Sequence, residues 1–112
     1  YSLRKDTYNG NGIYIEKAQF KTGFIRKNTI TRCYVNGIKV EGSRGNRINI
    51  SNNTIKSSTN KKSGIYVSDV NYTIRNNKIK NFKNGITAPA SSGTISGNKF
   101  TGIKKKKQIT LI

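Results

Sequence analysis

The sequence predicts an all-β chain wound into about five short coils of three strands each. Three observations carry that expectation: apolar residues alternate with polar ones over short stretches, two motifs recur in phase along nearly the whole length, and no stretch sustains helical spacing. The chain has 112 residues, enough for one domain, and residues 1–112 are read as a single unit. Lys and Arg number 22 against 4 Asp and Glu, for a formal net charge of +18. Leu, Ile, Val and Phe together supply 26 residues, just above the level at which so charged a chain stays disordered. Sixteen of the 26 are Ile, which suits a pleated surface.

The first motif has the form apolar-x-x-Asn-x-apolar. Its copies are Ile25–Ile30, Ile50–Ile55, Ile74–Ile79 and Ile95–Phe100, with Leu3–Tyr8 as a fifth if Asp6 stands for Asn. The second motif is Gly-Ile-x-apolar: Gly12–Ile15, Gly37–Val40, Gly64–Val67 and Gly85–Ala88, with Gly102–Lys105 as a degenerate last copy. Their alternation sets a repeat of about 23 residues, which holds three short strands and three bends. A lone coil of that size cannot bury its apolar side chains, but stacked coils share one interior.

Asn explains the bends. It tolerates the left-handed backbone better than other residues with a side chain, and its amide bonds locally to the backbone. Placed at one bend of every coil, Asn28, Asn53, Asn77 and Asn98 are expected to stack about 4.8 Å apart. Each amide then donates to the carbonyl of the next, satisfying polar groups that face inward.

These phased Gly-Ile-x-apolar and Asn-x-Ile elements resemble the right-handed parallel β-helix of the pectate-lyase-like superfamily, with its PbH1-type repeats, over nearly all of residues 3–103. The resemblance implies that the Asn ladder marks the bend between second and third strands. It also implies that the Gly-Ile segments are first strands, whose outer face and flanking loops usually form a polysaccharide groove. Members of this kind are mostly found outside cells, which implies an extracellular or cell-surface setting. Lyases, epimerases, hydrolases, phage tailspikes and non-catalytic adhesins share the architecture, so it does not choose a function.

On the Gly-Ile strands, residues between the apolar ones point outward. Outer rows then run Tyr14, Lys39, Tyr66, Thr87 and Glu16, Glu41, Ser68, Pro89, with Asp69 beside the second row. Tyr14, Lys39, Tyr66, Glu16 and Glu41 are candidate glycan-binding residues: the rings pack on pyranose faces and Lys39 meets an acidic group. The alternative is that Tyr and Glu merely suit a half-exposed ladder. Stacked carboxylates at Glu16 and Glu41 repel unless a cation or a neighbouring Lys or Arg intervenes. A Ca²⁺ ion with Asp69 as third ligand and an acid/base pair are the functional readings, and neutralisation by Lys17, Lys39 or Arg44 is the favoured alternative.

Several chemistries are excluded. Without His there is no Ser-His-Asp or Cys-His nucleophile system, and a single Cys33 allows neither an internal disulfide nor a zinc site of the usual kind. Cys33 is expected as buried filler aligned with Phe82. No apolar run approaches the roughly 20 residues of a membrane span. A lyase or epimerase using Lys39 with Arg44 or Arg47 stays open as an alternative, although no motif singles it out.

Charge is the strongest functional feature. Arg26, Lys27, Arg75, Lys78 and Lys99, together with Arg4 and Lys5, flank the expected ladder. Lys56, Lys61, Lys62, Lys80 and Lys83 are expected in the next loops, and Lys104, Lys105, Lys106 and Lys107 form a run. Repetition turns such positions into stripes suited to teichoic acid or another acidic polymer. The main expectation is therefore a non-catalytic module that binds acidic polymers. A structural or assembly segment of a surface or phage appendage is a further alternative. Nucleic acid is the weaker partner, because no recognised nucleic-acid motif is present.

The start at Tyr1, without an initiator Met or signal-like segment, points to a processed product or a piece of a larger extracellular protein. Residues 104–112 are expected to hold the basic run and a closing strand. Unpaired strand edges at the ends of a solenoid favour end-to-end self-association.

Overall fold

The computed structural model describes residues 12–16, 21–31, 33, 35–43, 45–57, 62–104 and 108–112. The strands among them are β1 (Ile13–Glu16), β2 (Thr22–Arg26), β3 (Thr29–Ile30), β4 (Ile38–Glu41), β5 (Arg47–Ser51), β6 (Thr54–Lys56) and β7 (Ser63–Ser68). They continue as β8 (Asn71–Arg75), β9 (Lys78–Lys80), β10 (Asn84–Ala88), β11 (Gly93–Ser96), β12 (Lys99–Thr101) and β13 (Ile109–Leu111). No helix occurs among the described residues. Each strand pairs in parallel with the strand three places on, giving sheets β1-β4-β7-β10-β13, β2-β5-β8-β11 and β3-β6-β9-β12. The chain is thus a right-handed parallel β-helix of four complete coils, with β13 opening a fifth.

The register piles like on like. Ile13, Ile38, Ile65, Ile86 and Ile109 form one column of the first sheet. Ile25, Ile50, Ile74 and Ile95 line the second sheet, and Ile30, Ile55, Ile79 and Phe100 the third. Columns from three sides meet in one core, where Ile38, Ile48, Ile50, Ile55, Ile65, Ile74 and Ile86 have no exposed surface. Burying an isoleucine to that degree contributes about 1.5–3 kcal/mol before entropy is counted. Cys33 and Phe82 add to this core at the third bend, as the spacing predicted. Successive coils take 25, 27, 21 and 23 residues between partnered isoleucines, so length varies in the bends while the strands keep step.

Glycine opens the first-sheet strands because the backbone leaves no room for a side chain. A Cβ on Gly37 would strike Ile55 Cγ2 and sit 2.5 Å from the Gly64 carbonyl oxygen, and one on Gly64 would strike Ile79 Cγ2. The motif therefore reads as close approach of one coil to the next.

Gly102-Ile103 proves not to be a first-sheet strand. The strand that pairs with β10 is β13, with Ile86 opposite Ile109. Gly102 instead sits at the bend after the third sheet, at φ 64°, beneath Asn81 at φ 63°. Ile103 accordingly packs against the core next to the level of Phe82. The copy at Leu3–Tyr8 lies outside the described residues.

Candidate functional site

The bend between second and third sheets carries a continuous amide ladder. Asn28 Nδ2 donates to Asn53 Oδ1 at 3.0 Å, Asn53 Nδ2 to Asn77 Oδ1 at 2.9 Å, and Asn77 Nδ2 to Asn98 Oδ1 at 2.9 Å. Each Oδ1 also accepts from the backbone N–H of the preceding ladder residue at 3.0 Å. The left-handed residue is not the ladder Asn itself but the one before it. Lys27, Asn52, Asn76 and Gly97 have φ of 57°, 56°, 58° and 65°. The ladder Asn is selected for its inward amide, and its neighbour turns the corner.

On the first sheet, Tyr14, Lys39, Tyr66 and Thr87 stand side by side in register, as do Glu16, Glu41 and Ser68. The Lys39 ammonium lies 5.3 Å from the centre of the Tyr14 ring and 5.8 Å from that of Tyr66, and pairs with Glu41 Oε1 at 3.2 Å. Both charged groups are more than a quarter exposed, so the pair is worth well under about 1 kcal/mol. Lys39 thus neutralises Glu41. The Glu16 side chain, Lys17 and Arg44 lie outside the described residues. Asp69 is exposed at a left-handed bend, with φ 52°. No group of three or more His, Cys, Asp or Glu gathers among the described residues. Thr87 departs from its expected outward exposure: it is buried, and its hydroxyl shares a 2.7 Å hydrogen bond with that of Ser63.

The cations divide among three surfaces. Arg26 and Arg75 alternate with Ser51 and Ser96 along the outside of the second sheet, and Arg26 also stacks over Phe24 at 5.3 Å. Lys27 occupies the exposed bend of the first coil. Lys78 pairs with Lys99, and Lys56 with Lys80, on the outside of the third sheet. Lys56 and Lys80 stand on strands and not in the loops that the sequence suggests; the period of two about Ile55 and Ile79 marks them. Lys62 and Lys83 precede the partnered Ser63 and Asn84, while Lys104 N–H donates to Phe82 O at 3.0 Å, which continues a lysine column along the third bend. Lys105, Lys106 and Lys107 lie outside the described residues.

The described carboxylates therefore gather at the first sheet, where Lys39 meets one of them, and away from the third. Strands β3, β6, β9 and β12 contain no carboxylate, whereas Glu16, Glu41 and Asp69 fall at or just past the ends of first-sheet strands. Hollows flank that sheet on both sides. One, of about 720 Å³, is lined by Ser43, Asp69, Asn71, Pro89 and Ser92 among others. The other, of about 380 Å³, is walled by Lys39, Lys62, Tyr66, Asn84 and Thr87. Tyr72 closes the bend near the first, its hydroxyl donating to Pro89 O at 2.7 Å, and burial raises its pKa. Burial likewise pushes the Cys33 thiol up to about 11, and Sγ donates to Lys56 O at 3.4 Å.

The family model described as "Periplasmic copper-binding protein (NosD)" matches residues 2–108. No curated protein and no solved structure matches the chain. No helix among the described residues is long and apolar enough to cross a membrane.

Proposed function

The chain belongs to the NosD family, described as periplasmic and copper-binding, and on that premise we propose that it is a non-catalytic module that binds linear acidic polymers. The ligand class is teichoic acid or an acidic polysaccharide, held by the basic faces of the β-helix. Copper finds no suitable donors here. Cu(I) and Cu(II) sites draw on thiolate, thioether and imidazole, and this chain has no His, no Met and one Cys. Cys33 is buried, hydrogen-bonded and held protonated by its raised pKa. A net charge of +18 further repels cations. The residues present do not fit a copper centre.

The observation that carries the polymer reading is the outside of the third sheet. Lys78 beside Lys99 and Lys56 beside Lys80 are in-register neighbours about 4.8 Å apart, and no carboxylate stands among them. Such columns repel one another until counter-charge arrives. Lys outnumbers Arg 16 to 6, which supports diffuse, salt-sensitive attraction over bidentate recognition. The same face has no outward aromatic ring in its strands on which a base could stack, so nucleic acid is the weaker partner.

The test is retention on an immobilised acidic polymer eluted with salt. Retention should persist at about 0.15 M salt and fall linearly on a log–log plot, by about 0.7–0.9 per neutralised charge. The polymer should be recovered without new reducing ends or unsaturated products. Failure to bind at low salt, or cleavage of the polymer, overturns the reading.

A further inference from the structure

The columns that run along the axis are short, but the cations that run around one coil are not. From the end of β8 to the start of β10, the third coil presents Arg75, Asn76, Lys78, Lys80 and Lys83 to solvent. Between them, Asn77, Ile79 and Phe82 point into the core. The matching arc of the second coil, from Ser51 to Lys62, holds two cations among the described residues, Lys56 and Lys62, because Ser51 and Thr54 stand where the third coil has Arg75 and Lys78. The fourth coil, from Ser96 to Lys104, holds two, because Ser96 and Thr101 replace Arg75 and Lys80. Along the axis the strand columns are two deep, since Lys78 meets Lys99 but then Thr54, and Lys80 meets Lys56 but then Thr101, while the bend column runs through Lys62, Lys83 and Lys104.

We propose that the bound polymer lies across the solenoid, along the third coil, and not along its axis. This rests on the polymer-binding reading and adds a direction and a ligand chemistry to it. Lys78 and Lys80 are two strand residues apart, a spacing of roughly 6.6 Å, which sets the distance between the charges they meet. The arc turns two corners, at left-handed Asn76 and left-handed Asn81. A chain that follows it must bend twice within a few repeats. That demand favours a flexible phosphodiester chain with short polyol spacers over a stiff chain of linked pyranose rings. The arc ends at Lys83, next to Asn84 on the wall of the 380 Å³ hollow. The exposed Asn76 amide adds a neutral hydrogen-bonding group between the cations of the arc.

The experiment compares two variants of the full chain with equal charge loss on the same side of the molecule. One carries Arg75→Gln, Lys78→Gln, Lys80→Gln and Lys83→Gln. The other carries Lys56→Gln, Lys62→Gln, Lys99→Gln and Lys104→Gln. All eight side chains are exposed, and circular dichroism confirms the fold of each variant. The probe is a poly(glycerol phosphate) oligomer, with an oligogalacturonate of equal charge as the second arm. The third-coil variant should lose about three units of log–log salt slope on poly(glycerol phosphate), against about one for the other. Equal losses overturn the crosswise arrangement while leaving polymer binding intact. Tighter binding of oligogalacturonate than of poly(glycerol phosphate) overturns the flexible-chain ligand. No retention of the unaltered protein on either probe overturns the polymer reading itself.

Discussion

Replacing Asn77 with Ala tests whether the amide ladder holds the coils together. Asn77 is fully buried, and its side chain serves both neighbouring coils. Its Oδ1 accepts from the backbone N–H and from Nδ2 of Asn53, and its Nδ2 donates to Asn98 Oδ1 and to the carbonyls of Ile50 and Arg75. Truncation removes the acceptor for the Asn53 N–H and the side-chain donor to Ile50 O. Asn53 Nδ2 keeps its bond to Ile25 O at 3.0 Å, and Asn98 Oδ1 keeps the Asn77 backbone N–H, so those two groups are only weakened. The Asn53 N–H left unmet at about 1–3 kcal/mol, with the other lost side-chain bonds at about 1 kcal/mol each while Ile50 O keeps its place in the β5–β8 ladder, gives an expected loss of about 4 kcal/mol. That is a large share of the roughly 5–15 kcal/mol that stabilises a domain. Urea unfolding followed by circular dichroism reads it as a fall in midpoint at constant slope. Asn98→Ala, at the half-exposed end of the ladder, should cost about 1–2 kcal/mol, because water replaces part of what is lost. A loss below about 1 kcal/mol for Asn77→Ala, or equal losses at the two positions, refutes the reasoning.

Two further outcomes follow from the packing. Gly37→Ala places a Cβ against Ile55 Cγ2 and 2.5 Å from the Gly64 carbonyl oxygen; since backbone cannot yield as a side chain does, melting should register a destabilisation of about 1–3 kcal/mol or more. Gly45→Ala, with open space around its Cβ but φ at 89°, should show only the smaller backbone cost of about 1 kcal/mol. Cys33 supplies a pH test. Its folded pKa of about 11 lies above its ordinary value of 9.0, so the folded chain keeps a proton that the unfolded chain has lost. That contribution is complete below about pH 9 and is lost as pH rises through about 11, by up to about 2–3 kcal/mol. The difference between the pH–stability profiles of the unaltered protein and Cys33→Ser isolates it from lysine titration, and a flat difference across that window contradicts the buried-thiol account.

Much of the fold was legible because a solenoid repeats its own errors away. A single Asn or a single Gly-Ile pair says little, but Asn28, Asn53, Asn77 and Asn98 in phase with Gly12, Gly37, Gly64 and Gly85 fix both the coil and its register. Legibility failed where two residues compete for one corner. Asn52-Asn53 and Asn76-Asn77 each offer two candidates for the left-handed site, and only Lys27 and Gly97 in the other coils show that the first of each pair takes it. Gly102-Ile103 misled because Gly serves two purposes in this chain, close approach at Gly85 and a left-handed turn at Gly102. Its separation of 17 residues from Gly85, against coils of 21 or more, was the warning.

The functional surface was less legible than the scaffold. Burial patterns follow from alternation, but Lys56 and Lys80 join the basic face only once β6 and β9 are known to be strands. Thr87 shows the converse, an outward position that the Ser63 hydroxyl helps to bury. The separation of Glu41 and Asp69 from the lysines of the third sheet is a property of the winding and has no signature in composition.

The most direct measurement is the salt dependence of retention on poly(glycerol phosphate) for two variants that lose the same charge from different faces. Lys56→Gln, Lys78→Gln and Lys80→Gln alter the third sheet, whereas Lys21→Gln, Arg26→Gln and Arg47→Gln alter the second sheet and its approach. If in-register lysines on the third sheet hold the polymer, the first variant elutes at clearly lower salt with a slope reduced by about two, and the second stays close to the unaltered protein. Identical shifts for the two variants would show that net charge alone, and not the winding of the coils, holds the polymer.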